Sequence, residues 1–300
     1  MIHVVGHTAR DQLFRVEKFP ERHASSPVRD HHTYFGGGGA NVAAGIARLG
    51  GACTLISAVG PDFPGSEYDH WLESLGVARD LFVVNDRCTP TAYIFTDDSG
   101  DQITFFEWGA SEFFHHADAP ALDRVHLATA DPDFNSRVAA QSTFVSFDPG
   151  QDLPWYSAEQ LEAIISSLSI LFANRHEIDR LGEMLGVTRQ DLIDRIPVVV
   201  ITLDVKGSLL FEKGTHYEIP VVPVTLADPT GAGDAYRAGF LTAWEKGYPP
   251  FFCARIGTVT ASFVVEKVGC QTNLPDWEHM QERYERHFGP FSKDKRSPES

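Results

Sequence analysis

Apolar and polar positions along this chain fall into short blocks. The β-branched runs "IHVVGH" (2–7) and "CTLISAVG" (53–60) each pass through or close on a glycine, and "ANVAAGIARLG" between them spaces small and apolar residues at helical intervals. The same cadence returns through "RVHLAT" (124–129), "FNSRVAAQ", "FVSFD" (144–148), "AEQLEAIISSL", "ILFAN" (170–174), "EIDRLGEML" and "PVVVITL" (197–203). Strands that are apolar throughout, separated by helical segments, predict a parallel sheet covered on both faces. Two stretches break the rhythm. "TAYIFTDDSGDQITFFEW" (91–108) places two aromatic and β-branched arms around a DDSG turn and reads as a hairpin, and 12–35 reads as strands flanking a long loop. Together they predict a small antiparallel lid beside the main domain, at a topological switch point. Beyond 220 the pattern turns helical over 233–246 and 250–267. The expected division is a main domain of 1–11, 36–90 and 111–290, a lid of 12–35 and 91–110, and a polar tail of 291–300.

Composition narrows the classes. With 300 residues, 43% of them hydrophobic, the chain can bury a large core without staples. Its four cysteines, Cys53, Cys88, Cys253 and Cys270, are scattered, and "MIHVVGHTARD" lacks the regions of a signal peptide, so a reduced, cytoplasmic setting is expected. No run approaches the length of a membrane span. A net charge of −16, with no cluster of basic residues, argues against nucleic acid and for a small-molecule partner. The scarcity of lysine fits either adaptation to high salt or a GC-rich genome, and bears here only on solubility.

Candidate chemistry centres on "DPTGAGDAYRAGF" (228–240). Gly231, Ala232 and Gly233 leave backbone N–H groups open at a helix N-terminus, where unpaired donors and the positive dipole end favour an anion. Asp234, in the first turn, would accept a proton from an attacking hydroxyl, or would simply cap the helix. Phosphoryl transfer to an alcohol needs both parts, an anion hole and a base. The P-loop pattern GxxxxGK[ST] is absent.

This stretch resembles the C-terminal signature of the ribokinase family of carbohydrate kinases (PfkB type), and "GGGGANVAAGIARLGG" (36–51) resembles its N-terminal signature. The likeness covers nearly the whole chain. "VGHTARD", "FEWGA", "SFDPGQDLP" and "ASFVVE…GCQTNLP" are most similar to the archaeal nucleoside kinase branch. The resemblance implies a Rossmann-like α/β fold with a β-sheet lid and an enzyme using ATP and Mg²⁺. It implies Asp234 as base and the 231–233 amides as anion hole. Asp11, at the end of the first strand, would hold sugar hydroxyls together with Asn41, Gly36 and Gly37, although Asp11 would equally cap a turn and Asn41 a helix over 42–49. "NRHE" matches the family's NxxE, so Asn174 would serve the nucleotide and Glu177, with Asp228, the metal; a helix cap is the competing account. Thr202, Gly207 and Thr230 are further nucleotide candidates. In "TLDVKGS", Asp204 stands where the family's TxGxxG has its first glycine. The segment 257–273 should line the adenine pocket or belong to the core. The resemblance also implies a homodimer formed through the lid.

The acceptor stays open between a nucleoside and ribose 1-phosphate, both offering a 5-hydroxyl to Asp234. Phe35, Phe95, Phe105, Phe106 and Trp108 would enclose a base or form the lid's own core. Arg10, with Arg29, His31, His32 and Arg137, would suit a phosphate at C1. Ribose, fructose or a ketogluconate are other acceptors. A non-catalytic sugar or nucleotide sensor would be expected to lose the base or the anion hole, and both remain. His31–His32 and His115–His116, read as strand residues, would point to opposite faces and hold no metal.

Overall fold

The computed structural model describes residues 1–291, which contain most of the elements that the pattern anticipates; the expected polar tail lies, but for its first residue, outside them. The chain opens with β1 (Ile2–Val5), β2 (Ala9–Val16), β3 (Val28–Gly36), α1 (Gly38–Arg48), β4 (Cys53–Val59), α2 (Glu67–Ser74) and β5 (Ala78–Val83). A hairpin of β6 (Thr91–Thr96) and β7 (Gln102–Glu107) follows, then β8 (Arg124–Leu127), α3 (Pro132–Gln141), β9 (Phe144–Phe147) and α4 (Ala158–Ile165). Next come β10 (Leu168–Asn174), α5 (Arg175–Leu185), α6 (Arg189–Arg195), β11 (Val198–Thr202), β12 (Ser208–Glu212) and β13 (Thr215–Ile219). Three helices, α7 (Ala232–Glu245), α8 (Pro250–Val264) and α9 (Trp277–Phe288), complete the described chain.

Nine strands form one sheet in the order β13-β12-β11-β10-β9-β8-β1-β4-β5, with β12 and β13 antiparallel at one edge and the others parallel. Side-chain alternation serves two cores at once. Val198 and Val200 of β11 face the layer holding α1, α7 and α8, whereas Val199 and Ile201 face the layer of α3, α4 and α5. This is why those strands read as continuous apolar runs.

From β1 the chain first builds outward to β4 and β5, then returns to place β8 on the other side of β1. The order therefore reverses between β1 and β8, and the crevice beyond the carboxyl ends of such strands is where open α/β sheets hold ligands.

The second sheet, of order β3-β2-β6-β7, stands over that end. It differs from the expected antiparallel lid: β2 pairs with β6 in parallel, and only β3 and β7 run opposite to their neighbours. The whole of β4, α2 and β5 separates β2 from β6, so the two are not joined by a hairpin and a crossover makes them parallel. Asp11 accordingly lies on β2 in the small sheet, not at the end of the first strand. His115 and His116 belong to a 3₁₀ segment, Gly109–His116, so the strand argument does not apply to them. Nearby, Asp131 caps α3 and Asp133 pairs with Arg137.

Helix α1 reaches the sheet through a close backbone approach. A Cβ on Gly39 would stand 2.6 Å from Gly6 Cα, so only glycine lets the start of α1 rest on the end of β1. Gly39→Ala is expected to destabilise the fold by about 1–3 kcal/mol in urea unfolding; an unchanged midpoint would mean that this contact is not tight.

Candidate active site

Helix α7 begins on Gly231, whose φ of 79° is left-handed and whose missing Cβ would otherwise stand 2.8 Å from Cys270. The preceding turn is anchored from the far end of α8. Val265 O accepts from the Ala227 and Asp228 amides, and the Asp228 carboxylate accepts from Thr230 N–H at 2.9 Å and Gly269 N–H at 3.2 Å. Asp228 and Thr230 thus shape the loop. Ala232 N–H closes the turn onto Pro229 O at 3.2 Å. Gly233 and Asp234 follow in the first helical turn, at the positive end of the helix dipole.

Both oxygens of Asp234 are held. Oδ2 accepts from Asn41 Nδ2 at 2.8 Å and Oδ1 from Arg237 Nη1 at 2.9 Å. Asn41 is not the helix cap; Gly37 occupies that position, and Asn41 lies inside α1 with its amide turned toward α7. Gln271 fixes that amide's orientation: its Nε2 donates to Asn41 Oδ1 at 2.8 Å and to Tyr68 Oη at 2.7 Å. Trp71 Nε1 donates to Gln271 Oε1 at 2.9 Å, and Tyr68 O–H donates to Gly36 O at 2.8 Å. Sequence reasoning missed Gln271, Tyr68 and Arg237. Only Arg237 carried a local signal, its helical spacing from Asp234.

The other terminal nitrogen of Arg237, Nη2, pairs with Asp148 Oδ2 just past β9. Burial pushes the Asp148 carboxyl above the usual carboxylate range against the pull of Arg237, with Glu177 and Asp234 adding repulsion. Asp234 is likewise raised, by burial first, while Arg237 and Asn41 oppose the shift. Asp11 is 6% exposed and is pushed up to about 7 by burial, then by the nearby charges of Asp234 and Asp228, with the Cys270 thiol as a weak counter-donor. Gly36 lies flat against it: a Cβ there would stand 2.2 Å from the carboxylate.

The other expected residues are placed as follows. Asn174 and Glu177 close a capping box on α5, the Asn174 side chain accepting from the His176 and Glu177 amides and Glu177 Oε2 from Asn174 N–H. Thr202 ends β11, and Gly207 follows the turn in which Asp204 sits at φ 53°, a left-handed conformation that aspartate tolerates where the family's glycine would have stood. Arg10 turns away from Asp11 to pair with Asp62 at 3.1 Å. Arg29 serves Glu17 and Asp98 near the opposite end of β3, and Arg137 serves Asp133 and backbone carbonyls, so the structure does not gather these cations.

Of the five aromatics, Phe106 and Trp108 pack on the ring of His7, at centroid distances of 4.9 and 5.0 Å. His7 in turn bonds Ser111 Oγ at 2.9 Å and Asp152 Oδ2 at 3.1 Å. Phe35 stacks on Tyr68, and Phe95 stacks on Phe14 on the face of the small sheet that points away from Asp11, where Phe105 is 63% exposed.

Known proteins resemble this chain along nearly its whole length. The profile of the pfkB family carbohydrate kinase matches residues 1–277. A nucleoside kinase of Methanocaldococcus jannaschii is 46% identical over 94% of this chain and 96% of its own length. The crystal structure of a nucleoside kinase from that organism, described as an archaeal member of the ribokinase family, superposes with a TM-score of 0.90 at 45% identity, covering 95% of this chain and 98% of the other. An ATP-dependent ribose-1-phosphate kinase of Halopiger xanaduensis is 31% identical, over 80% of this chain and 83% of its own.

The raised Asp11 has a stability consequence. Its folded value near 7 lies above the ordinary 3.8, so the fold binds the proton more tightly than the unfolded chain does. Its cost is absent below about pH 4 and grows as the pH rises through about 7. Asp11→Asn is expected to raise the melting midpoint at pH 8 by about 2–5 °C, with the gain disappearing near pH 4. A variant less stable than wild type at pH 8 would contradict the burial argument.

Proposed function

The chain belongs to the pfkB family of carbohydrate kinases, and on that premise we propose that it phosphorylates the 5-hydroxyl of a ribose substituted at C1, with ATP as donor and a nucleoside as acceptor. Like its family, it is a phosphotransferase with an alcohol group as acceptor. The observation that carries the finer reading is Asp234, held by Asn41 and Arg237 at the mouth of a glycine turn and facing Asp11 across the crevice.

In this reading Asp11 accepts from the vicinal ribose hydroxyls, with Asn41 and the Gly36–Gly37 backbone beside it. Each new donor favours its ionised form. Asp234 takes the proton of the 5-hydroxyl while that oxygen bonds to the γ-phosphorus and the bond to the β-phosphate oxygen breaks, leaving ADP with the electron pair. The backbone amides of Gly231 and Gly233 receive the phosphoryl oxygens, joined by that of Ala232 once it leaves Pro229 O. Asn174, Thr202, Gly207 and Thr230 would flank the nucleotide.

The donor set suits Mg²⁺, being carboxylate and amide oxygen. Glu177, whose charge reaches Asp148 and Arg237, would hold it through water, whereas the Asp228 oxygens already serve two backbone amides. When bound, the ion would neutralise charge on the transferred phosphoryl group.

A nucleoside is favoured over ribose 1-phosphate because Arg10, the one arginine adjoining Asp11, is engaged by Asp62; a C1 phosphate would have to displace that carboxylate. The outer face of the small sheet, with Phe14 and Phe95 stacked at 4.6 Å and Ile103 and Phe105 exposed, would pair with a second copy of the chain, giving a homodimer. The four cysteines are free, which suits a cytoplasmic enzyme, and among the described residues no helix is long and apolar enough to cross a membrane.

Turnover with MgATP, measured on nucleosides, ribose 1-phosphate, free ribose and fructose at matched concentrations, tests the acceptor. Preference for a nucleoside is expected, and preference for ribose 1-phosphate would reassign Arg10. Asp234→Asn is expected to lower kcat by about 10²–10⁴-fold; near-wild-type turnover under saturating substrates would remove Asp234 as base. Phe105→Glu is expected to convert the dimer to a monomer in sedimentation, and a wild-type monomer would overturn the proposed pairing.

A further inference from the structure

We propose that Arg237 is a positioning residue for the phosphoryl transfer, holding the base Asp234 in place and in its charged form by tying it to Asp148 on the central sheet. The inference rests on the assignment of Asp234 made above and extends it to Arg237, inside the quoted signature, and to Asp148, outside it.

The guanidinium is a rigid planar fork, and here it spans two carboxylates on different elements. One arm meets Asp234 Oδ1, three residues earlier on α7. The other meets Asp148 Oδ2, while Asp148 Oδ1 accepts from the Gly150 amide at 3.2 Å. Asp148 is thus fixed to backbone just past β9, and its side chain is 4% exposed. Arg237 itself is 14% exposed. Space for the fork comes from Gly233, since a Cβ there would stand 2.8 Å from Arg237 Nη1. The glycine therefore has a use beyond any anion hole: it lets the arginine lie along the first turn of its own helix.

The surroundings give this cation its importance. Asp148, Asp234 and Glu177 all act on it, and Asp234 with Asp228 acts in turn on Asp11. On the sheet side stands His126 of β8, which burial and Arg237 hold down to about 3, so the ring is neutral there. The Cys270 thiol, near Asp11 and Asp234, is raised well above its ordinary value by burial and is neutral too. Arg237 is therefore the positive charge set against both buried carboxylates that it touches. Without it, two partly desolvated acids would compete for one proton, and Asp234 would lose both its anchor and part of its basicity.

Two substitutions should move the enzyme in opposite directions. Arg237→Gln is expected to lower kcat about 100-fold with little change in acceptor KM, and to move the acidic limb of the kcat profile to higher pH. Asp148→Asn leaves the whole fork to Asp234 and removes a neighbouring negative charge, so the acidic limb is expected to move to lower pH. Arg237→Lys, which keeps charge but not the fork, should hold the limb near its wild-type position while lowering kcat. A merely structural role would move neither limb. The proposal is overturned if both limbs stay in place, if they move in the same direction, or if Arg237→Gln retains wild-type kcat.

The same question can be put to the free protein by infrared titration of the protonated carboxyl band, in an Asp11→Asn background that removes Asp11 from the signal. The remaining buried carboxyls should ionise at higher pH with Arg237→Gln and Asp234 at lower pH with Asp148→Asn; unshifted titrations overturn the proposal. This readout needs no substrate, so a wild-type protein inactive on every acceptor would sink the kinase reading and still leave the role of Arg237 decided. Should Arg237→Gln fail to fold, Asp148→Asn alone carries the test, because its expected shift has the opposite sign from that of a loosened site.

Discussion

Carboxylates brought together in partly dry surroundings repel one another and resist ionisation, and the crevice between the two sheets collects Asp11, Asp148, Glu177, Asp228 and Asp234. Much of the local architecture answers that constraint. Asp228 accepts from two backbone amides, Glu177 closes a helix cap, and Asp148 and Asp234 share one arginine. Asp11 has only a weak thiol partner and is pushed up to about 7, the value expected of a group kept ready for donors that a substrate would supply.

The main sheet was legible because its strands are apolar on both faces and helical segments separate them. Less legible were β5 and the β12–β13 hairpin. "ARDLFV" carries two charged residues, and β12 and β13 lie at a half-exposed edge where alternation is diluted by polar positions. The parallel pairing of β2 with β6 could not be read at all, since strand direction depends on a crossover that places residues 9–16 beside 91–96.

The site was legible only as far as its glycine signatures. Asp234 and Asn41 stand in them, and the structure joins the two directly. Gln271 and Asp148 hold the same group from positions whose local patterns say nothing of it: Gln271 lies in a turn after α8, and Asp148 ends an ordinary buried strand. Arg237 was in plain view within the quoted motif, but its meaning depends on a partner on another strand. The cationic cluster drawn from Arg10, Arg29 and Arg137 shows the opposite error. Residue type suggested a shared ligand, whereas each cation has an acidic neighbour of its own.

The hydrogen bond from Gln271 to Asn41 joins residues 230 apart in sequence, and the contact of Cys270 with Asp11 spans 259. Such contacts are slow to find and reward the chain late, since the entropy of closing the loop must be met first. During synthesis the sheet and α1 can begin to form while the ribosome is still adding α8, but Asn41 Oδ1 lacks Gln271, the donor that sets the orientation of its amide, until the turn after α8 has emerged. The Asp234–Asn41 pair is therefore organised among the last parts of the molecule, and a chain released before about residue 271 would carry both glycine signatures yet lack the contact that orients the Asn41 amide.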